Sequence, residues 1–146
     1  MRLLYILFLG GMLSFSNGPV WNLAASGKNS GVMESKTVVY HSKKALLKAW
    51  EKMRKSDPSL GKAPPDVDFK KQMIIACYDG SQSNGLRADS VWISEATLHL
   101  RLVRLSIKAG CHNATLLVTP WVWIRIDRKG WNVLKEEEKV EIRECN

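Results

Sequence analysis

The sequence is poor in the residues that catalysis and metal binding require. It holds only three histidines, His41, His99 and His112, and they are scattered. Cys111 and His112 are adjacent, which is not the spacing of a chelating pair, so no metal site is expected. There is no Gly-x-Ser-x-Gly, and no glycine-rich turn ends in Gly-Lys-Ser/Thr, so neither a nucleophile elbow nor a phosphate cradle is encoded. Ser59-Leu60-Gly61-Lys62 has the Ser-x-x-Lys spacing in which a lysine activates a serine. It lies in a proline-flanked connector with no accompanying Lys-Thr-Gly, so it reads as coincidence. No catalytic residue and no cofactor are assigned, and the chain is read as a non-enzyme. A Cys111 thiolate would need a histidine base brought to it by the fold.

Long apolar runs are also scarce. One stands at the start, where Arg2 precedes Leu3 to Phe15 and Ser16, Asn17 and Gly18 follow. A charged start, an apolar core and a small-residue exit make a secretory signal peptide over residues 1–18. The run is shorter than the roughly 20 residues that a membrane-spanning helix needs. No cysteine lies at its end to take a lipid, and no second run is long enough to span. The expected protein is therefore secreted or periplasmic, without a stable membrane span. The remaining residues suit one domain of about 100–150 residues. Their hydrophobic content, 45% over the chain, is too high for a disordered polypeptide. Without Arg2 the chain has 21 basic against 14 acidic residues, a net +7. That excess steers toward anionic surfaces, and nothing marks specific nucleic-acid binding.

Three cysteines leave one unpaired in an oxidising compartment. Cys77 lies inside the apolar run Met73–Tyr78 and reads as a small buried hydrophobe. Cys111, in a loop, and Cys145, at the end of the chain, are the expected disulfide. Asn113-Ala114-Thr115 is a glycosylation sequon, relevant only in a host that glycosylates.

Along the chain, residues 19–35 are rich in Ser, Gly and Asn, lack a period and read as a flexible leader. A single domain is expected over 36–146. Ser35–Tyr40 is β-like. Ser42 then caps a helix in which Ala45, Leu46, Ala49, Trp50 and Met53 form one stripe and lysines occupy the other face. Asp57-Pro58 ends it. Gln72–Tyr78 reads as a central strand and Leu86–Ser94 as another. Between them lies the polar loop Gly80–Gly85, with its Asn-Gly turn signal. Thr97–Lys108 alternates but slips phase between Leu102 and Val103, which predicts a β-bulge or bend. Ala114–Val118 and Trp121–Asp127 are β runs. Arg128-Lys129-Gly130 reads as a hairpin turn before Trp131–Leu134, and 135–146 as an edge strand or short helix. No βαβ alternation occurs, which argues against parallel pairing. The expected fold is mainly β: an antiparallel sandwich or half-open barrel with one packed helix.

Trp121 and Trp123 fall on one strand face, as either a core wall or an exposed platform for a partner or a sugar. Val67-Asp68-Phe69 with the apolar strand after it, the loop Gly80 to Gly85, and Thr119-Pro120-Trp121-Val122-Trp123-Ile124 together resemble the PrcB-type C-terminal domain family, over about residues 65–130. Leu86 stands where that family has an aromatic, and Gln82 and Ser83 where it has proline and threonine. The resemblance implies a small exported β domain that associates with or stabilises a partner protein, possibly a protease, with no activity or cofactor. Gly80, Gln82, Asn84, Gly85, Pro120, Trp121 and Trp123 are the expected binding residues. Ser83-Asn84-Gly85 and Thr119-Pro120-Trp121 are also similar in order to two loops of chagasin-like cysteine-protease inhibitors. That leaves a protease inhibitor and a carbohydrate- or surface-binding module as alternative functions.

Overall fold

The computed structural model describes residues 19–112 and 117–145. The expected signal peptide (residues 1–18), the sequon and most of the 114–118 run lie outside them; Leu117 and Val118 are not in a strand. The elements are β1 (Trp21–Gly27), β2 (Ser35–Tyr40), α1 (Lys43–Ser56), β3 (Gln72–Asp79), β4 (Gly85–Ser94), β5 (Thr97–Ile107), β6 (Trp121–Asp127) and β7 (Val133–Arg143). One sheet has the order β1-β6-β3-β2 and the other β4-β5-β7. The two form a mainly β sandwich, and α1 lies on the outer face of the four-stranded sheet.

The helix forms where its caps and apolar stripe agree. The Ser42 hydroxyl accepts the Ala45 N–H at 3.3 Å, satisfying one free donor of the first turn. Leu46, Trp50 and Met53 are buried one turn apart on a single face. At the far end the Asp57 N–H donates to the Met53 carbonyl, and Pro58 prevents continuation.

β3 is central, paired with β2 on one side and β6 on the other, and buried from Met73 to Asp79. Alternation sends its side chains into two cores. Met73, Ile75 and Cys77 meet Leu98, Leu100 and Leu102 between the sheets. Ile74, Ala76 and Tyr78 meet Leu46, Trp50 and Met53 under the helix.

Four expectations are corrected. The 19–35 segment is not simply a leader: residues 21–27 form β1, antiparallel to β6. A register shift between Leu23 and Ala25 breaks its alternation, which is why no period was legible. The phase slip in β5 does mark an irregularity, but the extra residue is Asp89 of β4. There the register moves between Ala88 and Ser90, opposite Leu102 and Arg101. β5 itself runs unbroken against β7, and Leu102 and Val103 are both buried. Arg128-Lys129-Gly130 does not turn a hairpin either; it carries the chain from one sheet to the other. The Asn132 N–H bonds the Ala96 carbonyl, so β7 starts beside Thr97 and runs parallel to β5. Parallel pairing therefore does occur. It needs no crossover helix, because β6, in the opposite sheet, supplies the return.

β7 settles the last segment as an edge strand. Arg101, Arg104 and Arg87 of the neighbouring strands pair with Glu137, Glu138 and Glu141. The Cys111–Cys145 disulfide ties its end to the loop after β5, and Cys77 is free and buried, as expected. No described helix is long and apolar enough to cross a membrane.

Candidate functional site: a braced loop and two grooves

The loop after β3 is held by a buried charge. Asp79 is 1% exposed, and its carboxylate meets the Arg104 guanidinium and the Ser83 hydroxyl. Arg104 also reaches Glu138 at 2.7 Å and the Ser35 hydroxyl at 3.2 Å, so one network joins both sheets. Gly80 follows at φ +62°, a left-handed conformation that glycine adopts without strain. A Cβ there would lie 2.5 Å from the Met33 carbonyl oxygen. Farther along, the Asn84 N–H donates to the Leu105 carbonyl at 2.8 Å, and its side-chain oxygen accepts the Ile107 N–H at 3.0 Å. Ser81 and Gln82 remain exposed at the tip.

Thr119-Pro120-Trp121 adjoins this loop, since the Asp79 N–H donates to the Pro120 carbonyl at 3.0 Å. It is not exposed. The Thr119 N–H bonds the Lys28 carbonyl, the Ser30 N–H bonds the Thr119 carbonyl, and the Gly31 N–H reaches the Thr119 hydroxyl. Pro120 is buried beneath. Gly27 faces Trp121 so closely that an added Cβ would sit 2.7 Å from the indole nitrogen.

Trp121 and Trp123 are both 0% exposed. Each lies beside Trp50, with ring centroids 6.1 and 5.4 Å away. They share a face, as read, but α1 covers it. The expectation that Pro120, Trp121 and Trp123 contact a partner is corrected: these residues are core, where large rings contribute most by burial. Gly80 is likewise a buried backbone pivot. Of the expected binding residues, Gln82 is exposed, and Asn84 and Gly85 are partly so.

Asn84 and Gly85 line a groove of about 380 Å³ at this end of the sandwich. Ser26, Gly27, Lys28, Ile107 and Arg143 also line it. Lys28 and Arg143 make the groove basic.

A second groove, of about 320 Å³, runs between α1 and β2. Lys36, Lys48 and Lys52 rim it, and Tyr40, Ala49 and Tyr78 contribute to its floor. The phenols of Tyr40 and Tyr78 are 3.2 Å apart, and the Trp123 indole N–H donates to Tyr78 at 3.1 Å. Burial, reinforced by Tyr40, pushes the Tyr78 phenol far above its ordinary range. Lys48 and Lys52 read from sequence as the solvated face of α1, and Lys36 as part of a β run. The overlooked signal is the four-residue spacing of Lys48 and Lys52 on the helix and the alternation that sets Lys36, Val38 and Tyr40 on one face of β2.

Other reactive side chains are engaged elsewhere. Ser59 bonds Asp57, and His99 stacks on Trp92 with ring centroids 4.9 Å apart. Burial raises the Cys77 thiol to about 12, so it is protonated at neutral pH. Among the described residues no serine or cysteine is hydrogen-bonded to a histidine, and no three potential metal ligands cluster. No protein-family model, no curated protein and no solved structure matches this chain.

Proposed function

We propose that this chain is an exported, non-enzymatic binding module that engages a partner protein through its 79–85 loop and the adjoining basic groove. The observation that carries this is the ion pair between buried Asp79 and half-buried Arg104. A buried ion pair contributes little net stability, because desolvation offsets much of the attraction. Here it braces a surface loop, presenting Ser81 and Gln82 from a rigid scaffold, and a preorganised loop loses less entropy on binding. The Arg2-led apolar segment and the Cys111–Cys145 disulfide both favour an oxidising, exported setting. A partner-stabilising role, for a protease or another protein, accords with the resemblance to the PrcB-type family.

The protease-inhibitor alternative calls for two neighbouring exposed loops, and 119–121 is covered. A sugar platform calls for an exposed Trp121–Trp123 face, which α1 occupies. The binding reading is tested by capture from the native envelope or secreted fraction, read by mass spectrometry. Wild type should retain a partner that Ser81→Arg/Gln82→Arg loses with its melting temperature unchanged. Equal capture by both would overturn the loop's role. N-terminal sequencing of the native protein should return a start near Asn17 or Pro19; Met1 would overturn export.

A further inference from the structure

We propose that the groove between α1 and β2 is a separate binding site, for an extended acidic peptide that adds as a strand to the free edge of β2. It shares no lining residue with the groove beside 79–85, so the two readings stand or fall separately.

Among the described residues, β2 is the outermost strand of its sheet and pairs with β3 alone. The far-side N–H and C=O groups of an edge strand are available to another chain, and such edges are a common route of peptide recognition. Its six residues, at about 3.3 Å each, offer an edge of roughly 20 Å. The side chains of β2 alternate, and Val38 and Tyr40 join the helix-side core, with Lys36 on the same face. An added strand would place every second side chain beside Lys36 and along the α1 rim formed by Lys48 and Lys52.

These three lysines determine which peptide fits. All are exposed, and among the described residues none takes part in an ion pair. The floor between them is largely apolar, so the stems of incoming carboxylate side chains can pack while their heads meet ammonium groups. Thr37 and Val39 point to the opposite face, where Val39 packs against the inter-sheet core. That face adjoins aliphatic side chains and no lysine of the groove, so an acidic side chain there would meet no counter-charge. The recognised pattern is therefore acidic residues at alternate positions with small neutral residues between them, which distinguishes this site from a general attraction of a basic protein for anions.

The test uses a fluorescein-labelled (Glu-Thr)4 octapeptide, a (Lys-Thr)4 control and the full mature chain, followed by fluorescence anisotropy. Saturable binding of the acidic peptide is expected, weakened about tenfold or more by Lys48→Glu/Lys52→Glu, since reversed charges repel the ligand. Lys43→Glu/Lys44→Glu changes net charge equally and should cost far less. Circular dichroism confirms that both variants are folded; if the reversed-charge pair is not, Lys48→Gln/Lys52→Gln replaces it with the same expected direction. Hydrogen exchange should show amide protection appearing over 35–40 on binding. Four results would overturn the proposal: no saturation below roughly 1 mM, equal binding of (Lys-Thr)4, equal weakening by the two lysine pairs, or protection confined to β7.

Discussion

The two faces of the four-stranded sheet solve the same packing problem with different side chains. Toward the second sheet, β3 and β6 present Met73, Ile75, Cys77, Val122, Ile124 and Ile126. Toward the helix, the same strands present Ile74, Ala76, Tyr78, Trp121 and Trp123, and α1 answers with Leu46, Trp50 and Met53. Among the described residues, the fully buried side chains of the inter-sheet core are all aliphatic or sulfur-bearing. The helix-side core is aromatic and largely hydrogen-bonded: Trp50 donates to the Gly61 carbonyl at 2.8 Å and Trp123 to Tyr78 at 3.1 Å, while the buried Trp121 N–H has no partner among the described residues. A cylinder on a twisted sheet leaves gaps that large rings fill, and their N–H and O–H groups then need partners. An exposed aromatic platform and an aromatic wall under a helix share one sequence pattern; the presence of the cover distinguishes them.

The largest effect should come from the helix-side core. Trp50→Ala removes the ring between α1 and both sheet tryptophans and should cost about 3–5 kcal/mol in denaturant unfolding. A cost below about 1 kcal/mol would make α1 peripheral and break the comparison. Ile75→Ala, on the other face of the same sheet, should cost about 2–5 kcal/mol. A much smaller cost would mean that the inter-sheet core collapses around the deletion.

At the end of β3, Asp79→Ala leaves the Arg104 guanidinium without its buried partner, though still bonded to Glu138 near solvent. A loss of about 3 kcal/mol is expected, at the low end for a broken buried pair. Hydrogen exchange should rise first over 80–85. Protection unchanged there would show that the pair stabilises the sandwich without bracing the loop.

Tyr78→Phe keeps the ring but removes the acceptor of the Trp123 N–H and the contact with Tyr40. The expected cost is about 1–2 kcal/mol, from a buried donor left unpaired. A neutral result would mean that the hydrogen bonds of the aromatic face add nothing to its burial.

The remaining prediction concerns pH. Cys77 has its thiol raised to about 12 in the folded protein, against an ordinary value near 9, chiefly through burial. The unfolded chain loses this proton first. The contribution is therefore full below pH 9 and is lost progressively as pH rises toward 12. Cys77→Ala should unfold with a shallower alkaline decline in stability than wild type. Equal slopes would show that the thiol is not desolvated.

Much of the fold was legible because it is locally encoded. Ser42 and Asp57-Pro58 bound α1 through capping and backbone sterics. The unbroken apolar run of Met73–Tyr78 marks a strand buried on both faces. Trp121 and Trp123, two residues apart, had to share a face. The settings of Cys111 and Cys145 pointed to their pairing. The candidate site was less legible. Gln82 and Asn84 were found through turn chemistry, whereas Lys36, Lys48 and Lys52 come together from a strand and a helix whose relative placement no local pattern records.

By itself, then, the sequence determined most of the elements, their alternating faces and the disulfide, since each of these depends on neighbours in the chain or on the character of a single segment. The tertiary structure alone decided what covers each face and which strands meet. β1 has no legible period, yet β6 offers it a ladder, and residues 28–31 that follow it cover Thr119 beside Trp121. β7 runs parallel to β5 because β6 has already carried the chain across to the opposite sheet. Pairing between distant segments depends on the free energy of the whole assembled core, so no window of local sequence contains it.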